Sequence, residues 1–389
     1  MGVSNGMLHC NIFMFQPGVE SGRHAECVAP KPRACSSIAL HNDRQEAPLL
    51  FERRSPQPIS LALQGGGAHG AFTWGVLDHL LEDGRVDFEG VSGTSAGAMN
   101  AVVLAHGLND GGRDGARAAL HRFWTSVADS LPFEVAVPSL DGQNVSLLPA
   151  LKMMMHWAHY FSPHQLNPFD LNPLRDILLA QVDFERLRGD SPVKLFIAAT
   201  NANSGKVRLF RSPEISAEAI LASACLPTMA RPVEIDGEPY WDGGYAANPA
   251  VYPLFYECKS SDILMVLLTP MKHKGTPHSA QEIKDRVLEL AFNSTFLREM
   301  RMFAHAREYA KESFFRIGRF ERRLVQTNFH VIDAPEQMNE FKTETKLAAN
   351  MQFFELLRNL GRERARGWLE ANHGEIGRRS TVDLAELFY

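Results

Sequence analysis

Two short apolar runs, ISLAL (59–63) and FEGVS (88–92), each break into glycine and then into a helical pattern. A strand that feeds a helix through a tight glycine turn, twice in succession, confines the chain to few architectures. The first helical stretch, GAFTWGVLDHLLEDG (70–84), puts Phe72, Val76, Leu77, Leu80 and Leu81 on one face. The second is expected from Gly97 to His106. This strand-helix-strand-helix order makes a parallel sheet sandwiched by helices the economical fold, because the crossover between parallel strands is itself a helix. VKLFIAATN (193–201) and DILMVLLTP (262–270) are continuous apolar runs of strand length and extend the same sheet. SGKVRLF (204–210) predicts an antiparallel ribbon, and SAEAILASACLP (216–227) a helix stopped by Pro227.

The 389 residues suffice for one large domain or two ordinary ones, and the net charge of -5 gives no global basic excess that would point to nucleic acid. The five cysteines (Cys10, Cys27, Cys35, Cys225 and Cys258) are scattered and form no CxxC pair, which suits a reducing compartment and no cysteine-bound metal. The opening MGVSNGMLHCNIFMFQPG lacks the basic start and unbroken apolar stretch of a secretory signal, and Gly6 stands where a myristoylation site needs Ser or Thr. No apolar run is long enough to span a bilayer, so the expected location is cytoplasmic, with peripheral membrane contact open. Residues 1–57 mix Pro, Ser, Arg, His and Cys without periodicity and read as a poorly ordered extension. Residues 58–279 form the expected sheet domain, and 280–389, rich in charged helical segments, a helical C-terminal region.

Three motifs carry chemistry. Gly93-Thr94-Ser95-Ala96-Gly97 lies at a strand-to-helix turn, where a nucleophile is lifted clear of the sheet and the flanking positions tolerate no bulk. The following helix points its positive end at any anion formed beside Ser95. Upstream, Gln64-Gly65-Gly66-Gly67-Ala68-His69-Gly70 leaves several backbone N–H groups unhindered. That loop suits an oxyanion hole, in which one lost donor costs ~3–4 kcal/mol of transition-state stabilisation. It also fits a dinucleotide fingerprint through Gly65, Gly67 and Gly70, with Asp87 near the ribose-binding distance. Finally, Tyr240-Trp241-Asp242-Gly243-Gly244 places an aspartate at an open turn, flanked by aromatics able to desolvate it and raise its basicity.

Together and in this order, the glycine loop, Gly93-Thr94-Ser95-Ala96-Gly97 and Asp242-Gly243-Gly244 resemble the three signature motifs of the patatin-like phospholipases, over roughly residues 59 to 270. The resemblance implies a three-layer α/β/α sandwich with a mainly parallel central sheet, and hydrolysis of lipid acyl esters through an acyl-enzyme. It assigns Ser95 as nucleophile, Asp242 as its sole proton acceptor, and Gly65, Gly66 and Gly67 to the oxyanion hole, with Gly70, Gly93, Gly97, Gly243 and Gly244 supporting the turns. No cofactor and no metal is implied. The substrate would be a phospholipid or lysophospholipid, with neutral glycerides and other esters as alternatives. One departure is His69, where the family often carries arginine; a histidine there is mostly neutral near pH 7.

Other readings compete with these. An α/β-hydrolase triad needs a histidine after the acid, and among His273, His278, His305, His330 and His373 only His330 sits in a strand-like run. LLPALKMMMHWAHYFSPHQLNPF (147–169) is either core or a lipid-facing lid, and its His156 and His159 lack a carboxylate that would complete a metal set. Arginines 316, 319, 322, 323, 362, 364 and 366 form local basic clusters, solvated helix faces or seats for anionic headgroups. A non-catalytic lipid-binding protein is the remaining alternative from another class. Oligomeric state is not encoded in any motif.

Overall fold

A computed structural model describes residues 55–130, 136–138, 145–147, 162–273, 275–312 and 318–389. The expected N-terminal extension up to Arg54, the core of the 147–169 segment with His156 and His159, and Arg316 lie outside the described residues. The strands are β1 (Gln57–Leu63), β2 (Val86–Thr94), β3 (Ala136–Pro138), β4 (Val145–Leu147), β5 (Lys194–Asn201), β6 (Val207–Arg211), β7 (Val233–Ile235), β8 (Glu238–Asp242), β9 (Asp262–Val266) and β10 (Asn328–Ile332). Among the described residues, β3 and β4 pair with each other alone. The others form one sheet in the order β10-β9-β1-β2-β5-β8-β7, with β6 also on β5. Five neighbours, β10 to β5, run parallel; β6, β7 and β8 add antiparallel pairs.

Helices α1 (Gly70–Asp83), α2 (Ala96–Asp129), α3 (Ala217–Ser223), α4 (Tyr252–Glu257), α5 (Ala280–Glu312) and α6 (Met351–Asn372) flank this sheet. The strands show why both faces are covered. Ile59, Leu61 and Leu63, with Leu264 and Val266, join the core beneath α1, α2, α3 and α6. Their alternates, Ala62, Ile263 and Met265, join a second core beneath α4 and α5. Side chains alternate across a strand, so apolar residues at every position fill two cores and demand helices on both sides. The molecule is an α/β/α sandwich with a mostly parallel central sheet.

Residues 280–389 contribute more than helices. NFHVI becomes β10 and extends the sheet parallel to β9. α6 lies across α1, where Asp78 is 3% exposed and receives Arg117, Arg358 and Arg362. Burial alone would raise the Asp78 carboxyl, but the Arg117 hydrogen bond and the three arginine charges hold it below the usual range. α2 runs far past the expected His106, and its continuity is interrupted by non-helical φ/ψ at Gly111 and Gly112. α3 ends at Ser223, four residues before Pro227, because the chain must turn there to deliver the Cys225 carbonyl to the Asp242 amide at 2.7 Å.

Candidate active site

Ser95 and Asp242 meet because two strands end head-on against the same edge of β5. Thr94 of β2 pairs with Ala198, and Asp242 of β8 pairs with the next residue, Ala199. The opposite edge of β5 is taken by β6, which also pairs with Ala198 and Ala199. β2 runs towards this junction from one side and β8 from the other, so the residue after Thr94 and the last residue of β8 face each other across one rung.

Ser95 has φ 55 and ψ -121, outside the regions L-residues prefer. The bend starts α2 at Ala96 and leaves the Ser95 side chain half-buried at the helix N-terminus. Its amide donates to Ser223 Oγ at 2.9 Å, and Thr94 Oγ1 donates to the Ala247 carbonyl at 2.7 Å. The sharpness of the bend is why Gly97 has no substitute: a Cβ there would stand 2.2 Å from the Leu63 carbonyl oxygen. Gly93 packs equally closely on Gly97, and Gly70 against Ala96 and Trp124.

Asp242 is 1% exposed. Its Oδ1 accepts the Gly244 amide at 2.7 Å, and the Ser95 side chain is near enough to act on the carboxylate. Burial dominates nonetheless and pushes the Asp242 carboxyl up to about 7, with the Gly244 hydrogen bond and the nearby Ser95 side chain opposing it. Thr200 Oγ1 donates to the Asp242 carbonyl at 2.8 Å, so the backbone is held on both sides of the carboxylate. Gly243 lies against the Ala198 carbonyl and Gly244 against Phe292 of α5.

The glycine loop follows β1 and abuts the serine: a Cβ on Gly65 would fall 2.8 Å from Ser95 Cβ. Gly65 is not available as an oxyanion donor, since its amide is already given to Asn248 Oδ1 at 2.7 Å. The amides of Gly66 and Gly67 have no partner among the described residues. Gly67 adopts φ 59, and a Cβ there would meet the Lys346 carbonyl oxygen at 2.2 Å. His69 does not face solvent at the start of α1 as a free helix-start residue would. It is 2% exposed, with Nε2 2.8 Å from Thr345 Oγ1. The Thr345 hydroxyl gives its own proton to the Lys342 carbonyl, so His69 donates from Nε2 and leaves Nδ1 as a buried acceptor without a partner. Burial, with the Lys346 charge nearby, lowers the imidazole to about 3. His69 is therefore neutral.

His330 is remote from Ser95. It lies in the edge strand β10, 0% exposed, with Nε2 3.0 Å from Asp262 Oδ1 and Nδ1 3.0 Å from Thr381 Oγ1. Burial alone would raise the Asp262 carboxyl, but His330, Ser261, the Gly377 amide and Asn328 hold it low. Asp87 lies at the first rungs of the parallel β1–β2 pair, away from the glycine loop that follows β1, and is paired with Arg113. A ribose-binding carboxylate belongs at the loop end, so the dinucleotide geometry is not formed. No cluster of three or more His, Cys, Asp or Glu suited to a metal occurs among the described residues.

Motif reading missed three residues. Gln64 Oε1 accepts the Leu268 and Thr269 amides at 2.6 and 2.9 Å, while its Nε2 donates to Asn293 Oδ1 at 3.1 Å; Asn248 fixes Gly65; Ser223 fixes Ser95. Gln64 stands at the head of the glycine motif without a role there, and Ser223 left a trace as a polar residue in a mostly apolar helix.

Fold and site together define an α/β/α protein with a serine elbow, a buried acid and a glycine loop at one end of a parallel sheet. Residues 61–255 match the family described as Patatin-like phospholipase, and the chain belongs to that family. Uncharacterized NTE family proteins of Mycobacterium bovis and Mycobacterium tuberculosis are 31% identical over 196 residues, covering 50% of this chain and 45% of theirs. The matched part of the chain thus spans about half the length of these relatives. Among solved structures, VipD from Legionella pneumophila aligns with TM-score 0.36 and 14% identity, over 86% of this chain and 73% of its own. The ExoU–SpcU complex of Pseudomonas aeruginosa aligns with TM-score 0.33 and 16% identity, over 81% and 52%. No helix among the described residues is long and apolar enough to cross a membrane.

Proposed function

We propose that the protein is a serine hydrolase of lipid carboxylic esters, of phospholipase A or lysophospholipase type, working through a Ser95–Asp242 dyad. The observation that carries the reading is a half-buried serine on a strained elbow beside a carboxylate whose burial pushes it up to about 7. A carboxylate at its ordinary value is a feeble base for an alcohol; one near neutrality is matched to the task. Ser95 Oγ attacks the ester carbonyl while Asp242 takes its proton, and the amides of Gly66 and Gly67, with the N-terminus of α2, hold the developing oxyanion. Asp242 returns the proton to the departing alkoxide, leaving an acyl-enzyme. Water then attacks that acyl group, giving its proton to Asp242, and the fatty acid leaves as Ser95 recovers its hydrogen.

The lipid substrate implies contact with a membrane surface from outside the bilayer. Neutral glycerides are the second reading, favoured by the uncharged His69 beside the glycine loop. The test is hydrolysis of a medium-chain chromogenic ester by wild type and by Ser95→Ala, with folding checked by circular dichroism. Turnover that disappears in Ser95→Ala is expected. Turnover indifferent to that change, or liposome binding that persists with no turnover in the wild type, would instead indicate another nucleophile or a lipid-binding protein.

A further inference from the structure

The short turn Thr343–Leu347 is pressed onto the glycine loop. Gly67 packs on the Lys346 backbone, and Thr345 holds the His69 ring. The Lys346 side chain lies between this loop and α5, within electrostatic reach of His69, Glu289 and Asp285. It is half-buried, yet among the described residues it has neither an ion pair nor a hydrogen bond. Neither nearby carboxylate forms an ion pair with it, although both act on it at longer range. Glu289 is bridged by His273 at 3.0 Å and by Arg286 at 3.1 Å, and the half-buried Asp285 receives Gln281. A desolvated ammonium without a counterion is costly, and burial accordingly lowers Lys346 from the usual lysine range, with Glu289 and Asp285 opposing.

This corner belongs to the wall of the candidate site. One turn along α5 from Glu289, Phe292 covers Gly244 and lies tilted against Tyr245 with ring centroids 4.5 Å apart, while Asn293 bonds Gln64. His69, the other basic side chain against the loop, is neutral, so among the described residues Lys346 is the cation that packs against it.

We propose that Lys346 is the anion-recognising residue of the site, holding the phosphate of a glycerophospholipid while its acyl ester lies against Ser95. The assignment rests on the ester-hydrolase reading, deepens it to a substrate class, and makes the C-terminal region part of substrate recognition. An ammonium on a flexible stem binds phosphate as a point charge, without the fixed fork of arginine.

The experiment compares kcat/KM for monomeric dihexanoyl phosphatidylcholine and for the matching dihexanoyl glycerol. Lys346→Met is expected to lower the ratio of the two by about tenfold or more, and Lys346→Arg to restore most of it, as removal of one charge-assisted contact implies. Lys346→Met should fold at least as stably as wild type, because it removes a desolvated charge that is unpaired among the described residues. A ratio unchanged in Lys346→Met, including a loss shared equally by both esters, overturns the proposal. Calorimetry on Ser95→Ala gives a reading that needs no turnover. If the wild type hydrolyses neither ester, dihexanoyl phosphatidylcholine bound by Ser95→Ala and lost on adding Lys346→Met rejects the hydrolase while keeping the lysine's role; binding indifferent to Lys346→Met rejects both. Inorganic phosphate that binds Ser95→Ala as tightly as the phospholipid would mark a free-phosphate site and overturn the lipid assignment.

Discussion

At the scale of single residues, the chemistry turns on one carboxyl. In the proposed mechanism Asp242 acts as a base only when ionised, and its value of about 7 places that ionisation inside the physiological range. The rate should therefore rise with pH, with kcat/KM half-maximal near 7. No further limb should come from His69, which titrates near 3. A pH–rate profile with a neutral chromogenic ester checks this; a plateau reached by pH 5 would contradict the burial argument. The raised value also has a stability consequence. A folded value raised from 3.8 to about 7 means the native state binds the proton more tightly than the unfolded chain between those limits. The stabilisation is complete below about 4 and is lost as pH rises through 7. At pH 8 the wild type holds a buried carboxylate at a cost of a few kcal/mol, because each tenfold change in proton affinity is worth about 1.4 kcal/mol. Asp242→Asn should consequently be more stable than wild type in urea at pH 8, with the difference shrinking towards pH 4, while its turnover is abolished. An asparagine variant equally or less stable at pH 8 would show that the carboxyl is not raised. At this scale the sequence displayed the serine, the acid and the loop, but not which amides are free. Gly65 looks like its neighbours in the sequence, and only the distant Asn248 removes it from the donor set.

At the scale of elements, what was legible followed from local pattern. β1, β2, β5 and β9 announce themselves as apolar runs, and α1 by its apolar face and Gly84, which takes φ 79 at its end. The length of α2 was hidden because NDGGRDG interrupts the periodicity between two helical stretches. The place of NFHVI beside β9 was hidden for another reason: parallel partners lie far apart in sequence, and only the pairing of Asn328 with Asp262 reveals them. That pairing explains His330, which joins β10 to Asp262 and to the 377–381 segment rather than serving Ser95. His330→Ala should cost about 2–4 kcal/mol of stability, from the cavity and the weakened bonding of Asp262. Turnover per folded molecule should be unchanged. Chemical denaturation with activity normalised to native protein separates the two, and a natively stable but inactive variant would bring back the triad.

At the scale of the whole molecule, the site is a property of the sheet. β2 and β8 approach one edge of β5 from opposite ends, β1 brings the glycine loop alongside, and the C-terminal region closes the corner through α5 and the Thr343–Leu347 turn. None of this juxtaposition is written in a local motif; three ordered motifs suggest it only through resemblance to a family, and the pairing register supplies the physical cause. The central claim, that this arrangement makes Ser95 a nucleophile driven by Asp242, is most directly tested by treating the protein with a fluorophosphonate at pH 8 and mapping the adduct by mass spectrometry. The dyad predicts a single phosphonylated peptide carrying Ser95, absent in Ser95→Ala and formed far more slowly in Asp242→Asn. A wild type that stays unmodified, or one that carries the adduct on another residue and keeps it in Ser95→Ala, would contradict it.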